Sequence, residues 1–210
     1  MKKIGIVTFF RGNYGSALQC YALSESIKKL GYQVVVLEEK YERISRIFHN
    51  FNRKIKPFFY FINKPAERKL YLKFQKSTVD TNKLVSKKSI KMINDFINLN
   101  LNVESRPVRQ HKKRAASEEF VSVIAGSDQI WNCSKGFVNS FFFLNFCPDY
   151  KKVCFAPSLG NGNFVKSVEK NFLKHISKFK YLSSREEEGS AYIDRLLGKK
   201  CCETLLDPVF

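Results

Sequence analysis

The first forty residues contain the pattern that most restricts the fold. Residues 4–10 (IGIVTFF) and 33–39 (QVVVLEE) have strand length and contain continuous apolar runs, and residues 17–30 between them place their apolar side chains on one helical face. Gly31 is a typical helix stop. Strands that are apolar throughout are buried on both faces, as in parallel sheets. We therefore predict a β-α-β unit with parallel strands and a right-handed crossover.

The same alternation returns in the second half of the chain. Strands are predicted at 120–125, 153–158, 181–184 and 201–206, with helices at 164–179 and 186–197. Strands that alternate with helices indicate an α/β fold, and here a Rossmann-like, doubly wound, mostly parallel sheet.

The middle of the chain differs in composition from both ends. The whole chain has 37 Lys and Arg against 19 Asp and Glu, and residues 40–116 hold 20 of the basic residues but only 5 of the acidic ones. This segment also contains Phe48, Phe51 and the run 58–61 (FFYF). We interpret residues 40–116 as a basic, aromatic helical insertion in a Rossmann-like domain over residues 1–206.

Within the insertion, helices are predicted at 66–76 and 87–99, and the polar, basic residues 103–117 are predicted to form a loop. Two interpretations of the charge stay open. A basic surface with aromatic anchors attracts anionic lipid headgroups or nucleic acid. Surface helices with aromatic side chains packed inward have the same composition. Because no nucleic-acid-binding motif accompanies the charge, we do not expect a nucleic-acid partner.

Several classes of protein are disfavoured by what the sequence lacks. The first apolar stretch ends at Arg11, which favours a strand over an export signal, and no apolar run is long enough for a transmembrane helix. The six cysteines include no C-x-x-C pair, as in disulfide-poor cytoplasmic proteins. His49, His111 and His175 have no Cys or Asp at ligand spacing, so no metal site is predicted.

Polar, glycine-containing loops follow four of the predicted strands. They are 11–16 (RGNYGS), 126–132 (GSDQIWN), 158–163 (SLGNGN) and 184–189 (SREEEG). In doubly wound sheets, ligands bind outside the carboxyl ends of the strands. We therefore predict the ligand site at this rim of the sheet.

The first of these loops has two explanations. Gly15 permits close approach of the backbone to a ligand, the next helix presents free N–H groups to an anion, and Arg11 can add a charged fork. However, Ser16 and Gln19 also fit an S-x-x-Q capping box, which requires no ligand.

The other loops carry further candidates. Asp128 can act as a general base or accept hydrogen bonds from sugar hydroxyls. Trp131, the only tryptophan, can stack on a sugar ring or fill the core, and Asn132 can simply cap a turn. Ser184 and Glu187 fit a second capping box. Arg185 has no role in that box and can bind a carboxylate or phosphate.

Five motifs, taken in order, resemble the polysaccharide pyruvyl transferase family. They are 13–23 (NYGSALQCYAL), 126–132 (GSDQIWN), 155–160 (FAPSLG), 183–186 (SSRE) and 206–210 (LDPVF). The resemblance implies a GT-B-like two-domain fold with the active site between the domains. It also implies transfer of the pyruvyl group of phosphoenolpyruvate to two hydroxyls of a sugar, in a cell-surface polysaccharide or its lipid-linked precursor. The products are a cyclic ketal and phosphate, and no cofactor or metal is implied.

The resemblance and the loop analysis together nominate the site residues. Asp128 is the candidate catalytic residue. The candidate substrate-binding residues are Arg11, Asn13, Tyr14, Gly15, Gln19, Ser127, Gln129, Trp131, Asn132, Ser158, Gly160 and Arg185.

The resemblance also predicts the surroundings of this domain. Family members are longer, so residues 207–210 are expected to begin a hinge to a second domain, supplied in cis or in trans. We expect a cytoplasmic protein at the inner membrane face, with residues 43–76 docked on anionic lipid. The alternatives are an inactive remnant, another GT-B glycosyltransferase, or a basic domain that binds nucleic acid or membrane.

Overall fold

The computed structural model describes residues 1–40, 68, 72, 86–133, 138–160, 162 and 164–210. A parallel sheet lies at its centre. Within these residues the strands are β1 (Lys3–Val7), β2 (Gln33–Glu39), β3 (Val103–Arg106), β4 (Phe120–Ala125), β5 (Lys152–Cys154), β6 (Leu182–Ser184) and β7 (Cys202–Thr204). The helices are α1 (Tyr14–Lys29), α2 (Lys87–Asn100), α3 (Val108–Ala116), α4 (Lys166–Ile176) and α5 (Glu187–Leu197), with a short 3-10 helix at Asp149–Lys151.

The strand order is that of a doubly wound sheet. Five strands lie in the order β3-β2-β1-β4-β5, and β6 and β7 form a separate two-stranded sheet. Every pairing between these strands is parallel. One parallel bridge between Val153 and Tyr181 connects β5 to the β6 edge. The predicted α/β, Rossmann-like class is therefore confirmed.

Helices cover both faces of the sheet, which explains the uninterrupted apolar run at residues 34–37 of β2. Val34 and Val36 pack with α1 and α2 on one face. Val35 and Leu37 lie in the large core cluster on the other face, together with residues of α3, α4 and α5. Successive side chains of a strand point to opposite faces, so a strand covered on both sides has no polar positions between its apolar ones.

Several predicted element boundaries were wrong. β1 ends at Val7 rather than residue 10, and α1 begins at Tyr14 rather than residue 17. β5 ends at Cys154, because Ala156 has a φ of 48° that turns the chain out of the extended conformation. Apolar side chains continue past the ends of β1 and β5 because the loops that follow these strands also contribute to the core.

The loop predicted for residues 103–117 was also wrong, since this segment forms β3 and α3. β3 is the edge strand beside β2, and its exposed Ser105 and Arg106 explain its polar composition. On α3 only His111 and Ala115 are buried. His111 donates from Nε2 to the Glu38 carbonyl at 2.9 Å, which ties α3 to the end of β2. Burial lowers the pKa of this imidazole below its usual value.

The rest of the predicted insertion is described only in part. The helix predicted at 87–99 is confirmed as α2. The helix predicted at 66–76 and the membrane-docking segment 43–76 lie outside the described residues, apart from residues 68 and 72. In the described part of the chain, no helix has both the length and the apolar composition needed to cross a bilayer.

Candidate functional site

Two of the predicted loops meet where the strand order reverses. The chain leaves β1 towards β2 and β3 and later returns to β4 on the other side of β1. The crevice between two such neighbouring strands, at their carboxyl ends, is the usual ligand site of this architecture. Here Thr8, just after β1, donates its hydroxyl to the Ser127 carbonyl, just after β4, at 2.7 Å. This contact holds the two loops side by side.

Asn13 begins α1, and the predicted Ser16–Gln19 capping box is absent. The Asn13 side chain accepts a hydrogen bond from the Ser16 backbone N–H at 2.8 Å, and its backbone is extended, as at an N-cap. Ser16 is therefore inside the helix rather than at its start. Tyr14 and Gly15, on the first turn, are exposed at the rim, as a binding role requires.

Gln19 is buried and holds the first loop in place rather than lining a ligand site. Gln19 is only 3% exposed. The amide nitrogen donates to the Thr8 hydroxyl at 3.1 Å and to the Phe9 carbonyl at 2.6 Å. The predicted contact between Gln19 and a substrate is therefore not available in this structure, and its role is to shape the loop that contains Arg11 and Asn13.

Arg11 turns away from the switch point. Its Nε donates to Glu38 at 2.7 Å and its Nη2 to the other oxygen of the same carboxylate at 3.4 Å. Because Glu38 lies in the last part of β2, this ion pair joins the first loop to the neighbouring strand. The guanidinium that was predicted to bind an anion is thus paired with a protein carboxylate.

Asp128 lies at the centre of the predicted site in a strained conformation. Its φ is 69°, in the left-handed region that residues other than glycine seldom occupy. One carboxylate oxygen accepts the Ser16 hydroxyl at 2.6 Å, and the other accepts the Gln129 backbone N–H at 2.7 Å. Its carbonyl accepts the Ser158 backbone N–H at 2.8 Å. Asp128 therefore connects the loops that follow β1, β4 and β5, and strain of this kind is often found at functional sites.

The loop after β5 packs closely against the loop after β4. A Cβ on Gly160 would lie 2.4 Å from the Asn132 side-chain nitrogen, and Gly160 has a φ of 65°. Ser158 is buried and accepts the Gly160 backbone N–H at 3.1 Å. Asn132 donates to the exposed Gln129 side chain at 3.2 Å. Ser158 and Gly160 thus shape this rim, while Gln129 and Asn132 remain at its surface.

Trp131 lies in the core, so the prediction that it stacks on a sugar was wrong. It is 0% exposed, and its indole stacks on Phe143 with ring centroids 5.2 Å apart. Its Nε1 donates to the Phe142 carbonyl at 3.2 Å. The alternative role, that of a core residue, is the one that the structure supports. The large ring anchors the loop whose strained residue is Asp128.

Arg185 lies between two carboxylates after β6. Its Nε donates to Glu186 at 3.1 Å and its Nη1 to Asp207 at 3.2 Å. Burial alone would lower the pKa of Arg185, but the two carboxylates outweigh it and raise the pKa above its usual value. The predicted Ser184–Glu187 capping box is absent, because Ser184 is buried and donates to the Pro157 carbonyl at 3.3 Å.

Asp207 is a member of this site that the sequence analysis missed. One of its oxygens accepts both Arg185 and the Ser127 hydroxyl, the latter at 2.9 Å. Ser127 itself is 0% exposed, so its hydroxyl serves Asp207 rather than a ligand. A usable signal was present: Asp207 closely follows β7, at the same rim as the other polar loops.

The structure thus brings the four predicted strand-end loops together, although their side chains have different roles. Asp128, Tyr14, Gly15, Gln129 and Arg185 are at least partly exposed at the rim. Among the described residues, no group of three or more His, Cys, Asp or Glu side chains is arranged to hold a metal ion.

One open cavity of the described surface lies elsewhere. It measures about 520 Å³, at the carboxyl ends of β2 and β3, and its walls include Lys40, Glu104, Arg106 and Gln110. No predicted site residue lines it. We place the candidate site at the β1–β4 switch point instead, because Asp128, with its strained backbone, and the converging loops are there.

Comparison with known proteins identifies one family. A family model described as polysaccharide pyruvyl transferase matches residues 13–210, which is most of the chain. Neither the search of curated proteins nor that of solved structures finds a match. The matched region contains every loop of the switch-point site from Asn13 onward.

Proposed function

The chain belongs to the polysaccharide pyruvyl transferase family, and from this we propose that it transfers the pyruvyl group of phosphoenolpyruvate to a sugar. In this reaction one sugar hydroxyl adds to the enol carbon of the donor while the methylene carbon gains a proton. Phosphate then leaves, and a second hydroxyl of the same sugar closes the ketal. The two sugar hydroxyls lose two protons. One equals the proton that the methylene carbon gains to become a methyl group, and the other leaves with the phosphate.

We assign the base of this reaction to Asp128. Its carboxylate lies at the switch point, is only partly covered and is held by the Ser16 hydroxyl and the Gln129 N–H. A positioned carboxylate can accept the proton of an attacking hydroxyl, a contribution of about 10²- to 10⁴-fold. The observation that carries the proposal is the location of this carboxylate on a residue with a strained backbone.

The charges at the rim favour the neutral acceptor over the anionic donor. Both arginines among the predicted site residues are paired with carboxylates, Arg11 with Glu38 and Arg185 with Glu186 and Asp207. Carboxylates and paired arginines suit hydroxyl groups, whereas phosphoenolpyruvate requires cations without such partners. We therefore propose that this domain holds the sugar. In a GT-B-like arrangement, a second domain, in cis or in trans, would bind the donor.

Product analysis tests the proposal. The protein is incubated with phosphoenolpyruvate and a panel of hexose methyl glycosides, and phosphate release is measured together with the ketal methyl signal in the proton NMR spectrum. We expect both to appear only when a glycoside is present. Turnover with a sugar nucleotide in place of phosphoenolpyruvate would instead identify a GT-B glycosyltransferase. Absence of turnover with either donor would favour the inactive remnant if the protein also fails to bind the glycosides, and a donor-binding domain supplied in trans if it binds them.

We further propose that the acceptor is lipid-linked and that residues 43–76 dock the protein at the inner membrane face. The support is the excess of basic residues and the aromatic residues of this segment. We expect co-sedimentation with vesicles of phosphatidylglycerol and phosphatidylcholine that weakens as salt is added. Equal binding to pure phosphatidylcholine vesicles would contradict an electrostatic docking surface.

A further inference from the structure

We propose that Asp207 is a positioning residue of the transferase site, a role that rests on the function proposed above. Asp207 follows β7, yet a single one of its oxygens, Oδ2, accepts hydrogen bonds from Ser127 at 2.9 Å and from Arg185 at 3.2 Å. Its side chain is only 14% exposed. One carboxylate oxygen therefore connects the loops that follow β4, β6 and β7.

The carboxylate of Asp207 is itself held by its own segment. Its Oδ1 accepts the Val209 backbone N–H at 3.1 Å, and its carbonyl accepts the Phe210 N–H at 3.0 Å. With one oxygen fixed by this turn, the other points at Ser127 and Arg185. The carboxylate thus has a defined orientation and can transmit it to both partners.

Both partners of Asp207 adjoin groups that would meet the substrate. Ser127 is next to Asp128 in the chain, so the hydrogen bond to its hydroxyl limits movement of the strained loop that carries the base. Two nitrogens of Arg185 are taken by Glu186 and Asp207, while Nη2 has no hydrogen-bond partner among the described residues. Asp207 and Glu186 together orient the planar guanidinium so that one nitrogen stays available to a sugar hydroxyl.

Asn is a sharp probe because it preserves shape and removes an acceptor. In Asp207→Asn, an NH₂ group must face either the Arg185 and Ser127 donors or the Val209 N–H. The Ser127 hydroxyl can rotate to accept a hydrogen bond, but Arg185 has no acceptor to offer. The substitution therefore releases Arg185 specifically or disrupts the turn that orients residue 207.

The experiment is a double-mutant cycle on the full chain, with ketal formation as the readout. We expect Asp207→Asn to lower kcat/KM by about 10- to 100-fold, as for a modest misplacement of reacting groups. In an Arg185→Gln background, the same substitution should cost much less, because its target is already absent. Asp194→Asn is the matched control, since Asp194 holds the Cys201 and Cys202 N–H groups at the opposite end of β7.

Each outcome decides a separate question. If the unsubstituted chain forms no ketal and binds none of the glycosides, the proposed function fails. If it forms the ketal and Asp207→Asn keeps kcat/KM within twofold, the positioning role alone is overturned. Losses that simply add in the double variant would also overturn it, because a purely structural effect does not depend on Arg185. A loss confined to the Arg185-containing background supports it.

Discussion

Replacing Asp128 with Asn should lower kcat for ketal formation by about 10²- to 10⁴-fold and leave the free energy of unfolding nearly unchanged. The carboxylate is the proposed base, and an amide cannot accept the proton of the attacking hydroxyl. Asn tolerates the left-handed backbone at φ 69° as Asp does. Its amide can also donate to the Ser16 hydroxyl, which in the native protein donates to Asp128 at 2.6 Å. The backbone and the loop are therefore preserved.

This prediction is checked by steady-state kinetics and urea unfolding of the same preparations. Asp95→Asn is a suitable control, because Asp95 lies exposed on α2 and pairs only with Lys91 at 3.2 Å among the contacts described. We expect wild-type kcat for that variant. A kcat for Asp128→Asn within about threefold of wild type would place the base elsewhere and remove the main support for a catalytic switch point.

Replacing Trp131 with Ala should lower the free energy of unfolding by about 3–5 kcal/mol. The indole is 0% exposed and is enclosed by Phe143, Phe172 and Phe179, with centroid distances of 5.2, 5.9 and 5.3 Å. Its removal leaves a cavity, and the Phe142 carbonyl loses its hydrogen bond from Nε1. Because domains are typically stable by about 5–15 kcal/mol, this loss is a large part of the total.

Urea unfolding followed by far-ultraviolet circular dichroism measures this effect, since the variant lacks the only tryptophan as a fluorophore. Trp131→Phe should cost less, because an aromatic ring still fills part of the space. Tyr150→Ala is the matched surface control: Tyr150 is 67% exposed, and we expect a change below about 0.5 kcal/mol. If Trp131→Ala lost less than about 1 kcal/mol, the indole would not be part of a close-packed core.

Together, the two variants separate catalysis from stability within one loop. Asp128 and Trp131 are three residues apart, yet one faces the rim and the other the core. The anchored indole prevents the loop from relaxing, which is how a strained conformation at Asp128 can persist. We therefore expect Trp131→Phe to affect activity more than its loss of stability alone would explain.

The parts of the fold that could be predicted are those in which burial follows a simple period. β2 and β4 have the predicted limits, 33–39 and 120–125, because most of their residues are apolar and the core of each strand is buried. β3 and α3 could not be found in this way. An edge strand and a helix that buries only His111 and Ala115 have too few apolar positions to show a period.

The position of the site could also be predicted from the sequence, but the roles of its side chains could not. The chain alone determined that polar loops follow the strands, and parallel strands bring their carboxyl ends to one rim. Whether Trp131 faces a ligand or the core, and what Gln19 binds, depended on how these loops fold. The hydrogen bonds from Ser16 to Asp128 and from Ser127 to Asp207 join residues 112 and 80 positions apart. Local patterns record burial along one segment, whereas such contacts exist only once distant segments pack together, and so only the tertiary structure decided them.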